Sequence, residues 1–254
     1  ALLIGAFLAK GVVTLTRDGL INLSAAKVTY KVKNEVMERY AGANYQFFLD
    51  RKQGDLLYNS VHAPNAVGIS LTTGPQMLAV LAKLITLGVL LTLVYPLAAL
   101  AFAVLGLIYY LAVHYLSVKV SWALSSKTVN AYSEQTVIVN EFLNGIHQIL
   151  MFNTAKRWLQ RFDKENHIWS DSHAKNLNLM VTPRPVMELM AICLMLSAVL
   201  ILRASSSGSV AEILPTIGVL AVAMTQILPG LTSFGQFRMQ FISAMPSVDL
   251  AYQA

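Results

Sequence analysis

Apolar side chains dominate from Leu97 to Val118, polar and charged ones from Lys119 to Lys175, and apolar ones again from Leu177 to Val181. The stretch from Leu97 to Thr182 lacks proline, although the chain has eight, and its glycines are Gly106 and Gly145. The pattern predicts two long helices joined by one tight break in water. At 1.5 Å per residue, Leu97 to Met151 would span roughly 80 Å, against ~30 Å for the hydrocarbon core of a bilayer. A helix that crosses a membrane, projects beyond it, turns and returns accounts for both the length and the change of polarity.

The remaining segments fit the same plan. Ala1 to about Ala26 is apolar but interrupted by Lys10, Arg17 and Asp18, and helical spacing continues through Lys27, Tyr30, Glu35 and Arg39 toward Phe47. Gly54, Pro64 and Pro75 are expected to break the chain after it. A second span is expected over Met77–Val94, a turn at Tyr95-Pro96, and a third span over Leu97–Val118. A fourth covers Val186–Leu202, a short loop Arg203–Val210, and a fifth Ile213–Phe234, followed by a mixed tail to Ala254. The expected fold is therefore all-α: a single transmembrane domain over 1–254, a polytopic helix bundle with long helical extensions at 27–66 and 119–176.

Composition supports a membrane protein. The chain is 56% hydrophobic and 13% charged, with mean hydropathy +0.56, unlike an ordinary soluble domain. Ala1–Ala9 lacks a following Ala-x-Ala-type site at Lys10 to Arg17, so it reads as a truncated membrane helix rather than a signal peptide. The net charge of +6 comes from placement, not from a nucleic-acid surface. Thirteen of the 19 basic residues fall in the two polar excursions: Lys27, Lys31, Lys33, Arg39, Arg51 and Lys52, then Lys119, Lys127, Lys156, Arg157, Arg161, Lys164 and Lys175. The positive-inside rule puts both excursions and the C-terminus in the cytoplasm of a multi-pass protein of the plasma (inner) membrane.

Catalytic chemistry has no positive signal. The glycine pair with phosphate-loop spacing, Gly230 and Gly235, is followed by Gln236-Phe237 rather than Lys and Ser/Thr. His62, His114, His147, His167 and His173 show no metal-ligand spacing. The one cysteine, Cys193, lies in an apolar run and reads as filler. Neither a catalytic residue, a cofactor site nor a metal site is expected within this chain.

Two patches resemble the intracellular loops of ABC exporters. Phe47-Phe48-Leu49-Asp50-Arg51-Lys52-Gln53-Gly54-Asp55-Leu56-Leu57 is similar to the first, and Asn140-Glu141, Gly145-Ile146-His147-Gln148-Ile149, Phe152-Asn153 and Arg161-Phe162 to the second. The order of spans around them fits too, although the family has six and five are counted here, so the first is expected to be missing. The family's Ser-Arg and following Asp are replaced by Tyr58-Asn59-Ser60 and Pro64-Asn65. The resemblance implies short coupling helices that sit in clefts of ATP-binding domains, with Asp50, Gly54, Asp55 and Leu56 at the first and Phe152, Asn153 and Thr154 at the second. It also implies a homodimer or heterodimer of transmembrane domains, and nucleotide-binding domains, absent here, that bind ATP and Mg. The implied function is alternating-access export or flipping of an amphipathic, lipid-like or peptide solute, the parent transporter being an ATPase.

Charges at membrane depth cost from about 2.5 kcal/mol upward and tend to face a cavity or a partner. Arg17, Asp18, Lys83, Arg184 and Glu188 are the candidates, with Arg184 and Glu188 one turn apart and able to pair. Snorkelling from helix ends is the plainer reading for Lys83 and Arg184. Pro183-Arg184-Pro185 removes two helix N–H donors and predicts a kink, a candidate gate, with Pro229-Gly230 a second one. Met180, Met187, Met190, Met195 and Met224 form either a wall for greasy cargo or ordinary helix packing. Two other functions are consistent with the same residues: a proton-driven peptide importer using Asp18 and Glu188, and a membrane scaffold with cytoplasmic helical rods.

Overall fold

The computed structural model describes residues 2–94, 96–205 and 210–253, and within these the side chains of 2–3, 6–7, 94, 97–98, 101, 194, 198–205, 210–217, 219–223 and 253 are left aside. The described residues form helices and short turns, with no strand among them. In chain order the helices are α1 (Leu2–Ala41), α2 (Tyr45–Leu49), α3 (Gln53–Leu57), α4 (Ala63–Val94), α5 (Pro96–Tyr115), α6 (Trp122–Asn144), α7 (Ile146–Met151), α8 (Ala155–Val181), α9 (Pro183–Ser205) and α10 (Val210–Gln253). Two π-helical turns, Tyr58–His62 and Leu116–Ser121, link α3 to α4 and α5 to α6.

Among the described residues, three helical runs are long and apolar enough to cross a membrane: Gln53–Leu93, Phe102–Asn144 and Ala155–Ser197. They carry the second, third and fourth expected spans. The fifth lies within α10, with the side chains of 213–217 and 219–223 outside what is described, and Tyr95 of the expected outer turn also lies outside it. Pro96 opens α5, where the missing N–H costs no hydrogen bond. Exposed leucines such as Leu78, Leu93, Leu107 and Leu189 are what a lipid-facing surface requires.

Several sequence expectations are corrected. Pro64 and Pro75 do not break the chain, because both lie within α4. The wider turn of Tyr58–His62 comes just before Pro64 and gives its ring room against the preceding carbonyls, while the Asn65 side-chain amide donates to the Val61 carbonyl at 3.3 Å. The true breaks are at residues 42–44 and 50–52. The single break expected beyond Met151 is a pair, at Gly145 and at 152–154, with α7 between them. The mixed tail is helical: α10 continues through Pro229 and Pro246 to Gln253. Arg203 to Ser205 belong to α9 and Val210 to α10, and residues 206–209 of the expected loop lie outside the described residues. The helix is interrupted at the expected kink. α8 stops at Val181, Thr182 is a turn, and Pro183 is the first residue of α9.

The chain is organised as two compact units, one made of Ala1–Pro75, Trp122–Asn176 and Gln240–Ala254, the other of Gln76–Ser121 and Leu177–Met239. α4, α8 and α10 contribute to both. In the first unit Tyr58, Ala63, Val129 and Ala251 form one core, which draws the end of α10 against the start of α4 and α6. The Ser125 hydroxyl donates to the Ser243 carbonyl, and the Tyr58 and Ser247 hydroxyls lie 3.4 Å apart. A second core joins Val36, Tyr40 and Leu56.

In the second unit Leu91, Phe102, Ala191, Met224 and Ile227 form one core, and Leu105, Tyr109, Val113, Met187 and Met239 another. Of the methionine stripe, Met187 is fully buried and Met224 buried in these cores, and Met180, Met190 and Met195 pack partly buried against them. Gly230 lets α10 approach α4, since a Cβ there would stand 2.7 Å from Leu84 Cδ2. Gly235 leaves the space that the Tyr109 phenol fills.

Candidate functional site

The first break is set by local chemistry. Gly42 follows the last helical residue, with its N–H bonded to the Glu38 carbonyl at 3.0 Å, and Asn44 turns extended (φ −69°, ψ 152°). One short turn, α2, follows and stops at Asp50, whose N–H reaches the Gln46 carbonyl and whose carboxylate accepts from the Gln46 amide at 2.9 Å. Lys52 is extended again before α3. The outer surface of α2 is apolar and open, with Tyr45 77% and Leu49 60% exposed and Phe48 beside them. Beneath it Phe47 packs against Tyr40 and Phe48 at centroid distances of 5.7 and 5.3 Å, and the Arg51 guanidinium caps the Phe47 ring at 4.3 Å. The Tyr40 hydroxyl donates to the Leu56 carbonyl at 3.4 Å. Burial pushes that phenol above its ordinary pKa, against the lowering pull of Arg51.

α3 seats this break on α6. Gly54 is buried so closely on Val137 that a Cβ would collide with the Val137 backbone. Around that contact, Lys52 pairs with Glu134 at 3.1 Å, the Ser133 hydroxyl donates to Asp55 at 2.8 Å, and the Asn140 and Asn144 amides donate to Gln53 Oε1 at 3.3 and 3.4 Å. The Glu134 hydrogen bond and charge hold the Lys52 ammonium above its ordinary range. Both partners are about half exposed, so the pair gives register more than stability.

The second break is a left-handed turn. α6 ends at Asn144, Gly145 leads into α7, and Asn153 takes φ 51°, a value asparagine tolerates better than most residues. The N–H groups of Phe152, Asn153 and Thr154 return to the carbonyls of Gln148, Leu150 and Ile149 at 2.9, 3.2 and 3.0 Å, closing the end of α7. Ile149 is buried, whereas Leu150, Met151 and Phe152 are 67–73% exposed. Behind the turn Arg161 pairs with Glu141 at 2.9 Å and lies over Trp158, whose ring meets Phe142 edge-on.

The residues expected at these breaks are thus placed on two levels. Asp50, Phe152 and Asn153 are exposed and Thr154 is half-buried, but Gly54 and Leu56 are buried and Asp55 is bonded to Ser133. On α2 the accessible groups are Tyr45, Gln46, Phe48 and Leu49. Their signal is present in the sequence, as an aromatic run bracketed by Gly42 and Asp50. The two breaks belong to one unit and are tied together through Gln53.

The candidate gate residues are not one cluster. Arg17 and Asp18 belong to the first unit and pair with each other at 2.8 Å. Lys83, in the second unit, is exposed on α4. Arg184 and Glu188 pair at 3.2 Å and share a cavity of about 210 Å³ with Pro229, Thr232 and Gln236. Pro183 is buried beside them and Pro185 is exposed. Both candidate hinges, Pro183–Pro185 and Pro229-Gly230, therefore lie in the second unit, and their Arg184 and Pro229 line one cavity.

The family model for the ABC transporter transmembrane region matches residues 1–228. No curated protein sequence matches the chain.

Proposed function

We propose, from the premise that this chain belongs to the ABC transporter transmembrane region family, that it is the export-type membrane domain of an ATP-driven transporter. The family membership and the three apolar helical runs make it an integral membrane domain of ABC-type transport. Domains of this family work in pairs and with nucleotide-binding domains. Beyond that, our reading is that α2 and α7 are the coupling helices and dock in the ATP-binding partners, which bind ATP and Mg. Both breaks then lie in the cytoplasm of a plasma (inner) membrane protein. Closure of the partners displaces the tips, and α4, α8 and α10, which contribute to both units, carry the displacement as packed helices that move as bodies. The cargo is amphipathic or lipid-like and leaves the cytoplasmic side.

The observation that carries this reading is the pairing of two short helices in one unit, each presenting exposed apolar residues over a bonded base. Isolated surface apolar residues are ordinary, and two such patches on neighbouring breaks support the reading of a docking surface. The test is reconstitution of the chain with the ATP-binding domains of its parent transporter in liposomes. ATP and Mg should drive flux of a fluorescent lipid or amphipathic dye, and omission of the partner should abolish it. Flux driven by a pH gradient without the partner would replace this reading with the proton-driven one, and no flux under any condition with the scaffold.

The proline pair gives a separate expectation. In Pro183→Ala/Pro185→Ala the N–H groups return and α8 can run into α9 without its turn at Thr182. Flux should fall several-fold while size-exclusion behaviour and helix content stay unchanged. Equal flux in the variant and the parent would show that the break is only a packing feature.

A further inference from the structure

Arg238 stands out among the charges of the second unit. It follows the expected fifth span by about one helical turn, and its guanidinium contacts His114 Nδ1 and lies over the Tyr110 ring at 5.0 Å from the centroid. Arginine has no acceptor, so His114 Nδ1 accepts and its ring proton sits on Nε2. Tyr110 and His114 are stacked, and both are exposed. On the adjoining stripe of the same helical run the Lys119 ammonium lies 5.0 Å over Tyr115. None of these contacts supplies a countercharge. The sequence holds no Asp or Glu from Leu97 to Ser133 or from Ile213 to Val248. The one acid of residues 177–205 is Glu188, which pairs with Arg184. Among the described residues Arg238 has no carboxylate partner.

An arginine at a membrane boundary, cradled by an imidazole and an aromatic face but lacking an anion, is built to take one from outside the chain. We infer that Arg238, with the His114 Nε2–H, binds a phosphate group, supplied by an acidic phospholipid headgroup. Arg238 offers its remaining N–H donors to the phosphate oxygens, and Tyr110 and Tyr115 form the aromatic belt at headgroup depth. The leaflet, cytoplasmic, rests on the orientation proposed above, but the binding chemistry does not.

The experiment is native mass spectrometry of the delipidated full chain titrated with phosphatidylglycerol or phosphatidylcholine. Phosphatidylglycerol should be retained at least about fivefold more strongly, the factor that one basic side chain contributes near an acidic surface. Arg238→Gln should bring the two lipids level, Arg238→Lys should keep most of the preference, and Lys27→Gln, an equal loss of charge elsewhere, should keep all of it. Circular dichroism checks that each variant is folded. Release of phosphatidylglycerol by millimolar inorganic phosphate would assign the site to free phosphate, and no release to the lipid headgroup. Equal retention of the two lipids by the parent chain, or an unchanged preference in folded Arg238→Gln, overturns the site. Neither readout involves ATP or the partner domains, so this site can fail while the coupling proposal stands, and the reverse.

Discussion

Gly54→Ala is expected to lower the thermal midpoint of the detergent-solubilised chain and to cut partner-driven flux, whereas Gly88→Ala leaves both close to the parent. Both glycines are helical and both gain one methyl group. At Gly88 a Cβ meets nothing within 4 Å, so the change adds only helix propensity, worth up to about 1 kcal/mol in favour of the variant. At Gly54 the Cβ meets the backbone of Val137 as well as its side chain. A backbone cannot change rotamer, so α3 must lift from α6. Overpacking of this kind costs about 1–3 kcal/mol, and a backbone obstacle puts the cost at the upper end. The lift also lengthens the Lys52–Glu134, Asp55–Ser133 and Gln53–Asn140 contacts that hold the first break on α6. Scanning fluorimetry and ATP-dependent flux measure the two effects. Indistinguishable behaviour of the two variants would mean that α3 and α6 do not close on each other as described.

The second large effect separates docking from folding. Asp substitutions at Tyr45 and Leu49, or at Leu150 and Phe152, should leave the thermal midpoint within error of the parent, because these side chains already face solvent. They should nevertheless weaken capture of the ATP-binding partner. An apolar anchor at the centre of an interface is typically worth about 2 kcal/mol or more, so about 30-fold in affinity is expected for each pair. Loss of partner-dependent flux should follow. Full capture and flux in both double variants would remove α2 and α7 from the coupling role. The contrast with Gly54 is the informative part. A buried positioning residue disturbs stability and coupling together, and an exposed contact residue disturbs coupling alone.

Much of this is legible in the amino-acid order. The change from apolar to polar without proline between Leu97 and Thr182 encodes long helices, because periodicity and the absence of a breaker are local properties. The resemblance of Phe47–Leu57 and Asn140–Phe162 to exporter loops locates both breaks within a few residues. The levels within those breaks are not legible. That Gly54 is buried and Asp55 is bonded to Ser133 has no local signal, since burial of Gly54 depends on Val137, more than eighty positions away. Pro64 and Pro75 are expected to end a helix and do not. A proline's effect depends on whether the turn before it can widen, and at Pro64 the Tyr58–His62 turn does.

The same division holds across the chain. Composition and helical period by themselves determined an all-α membrane domain built on long apolar helical runs. Both follow from each residue's preference for lipid or water. Tertiary structure alone decided which glycine is a contact point and which is free, that Met187 and Met224 are core, and that residues 240–253 return to Tyr58 and Val129. It also decided that Arg238 has an imidazole for a neighbour instead of a carboxylate. Those outcomes depend on which helix face meets which, a choice made by packing between residues far apart in the chain that no local window contains.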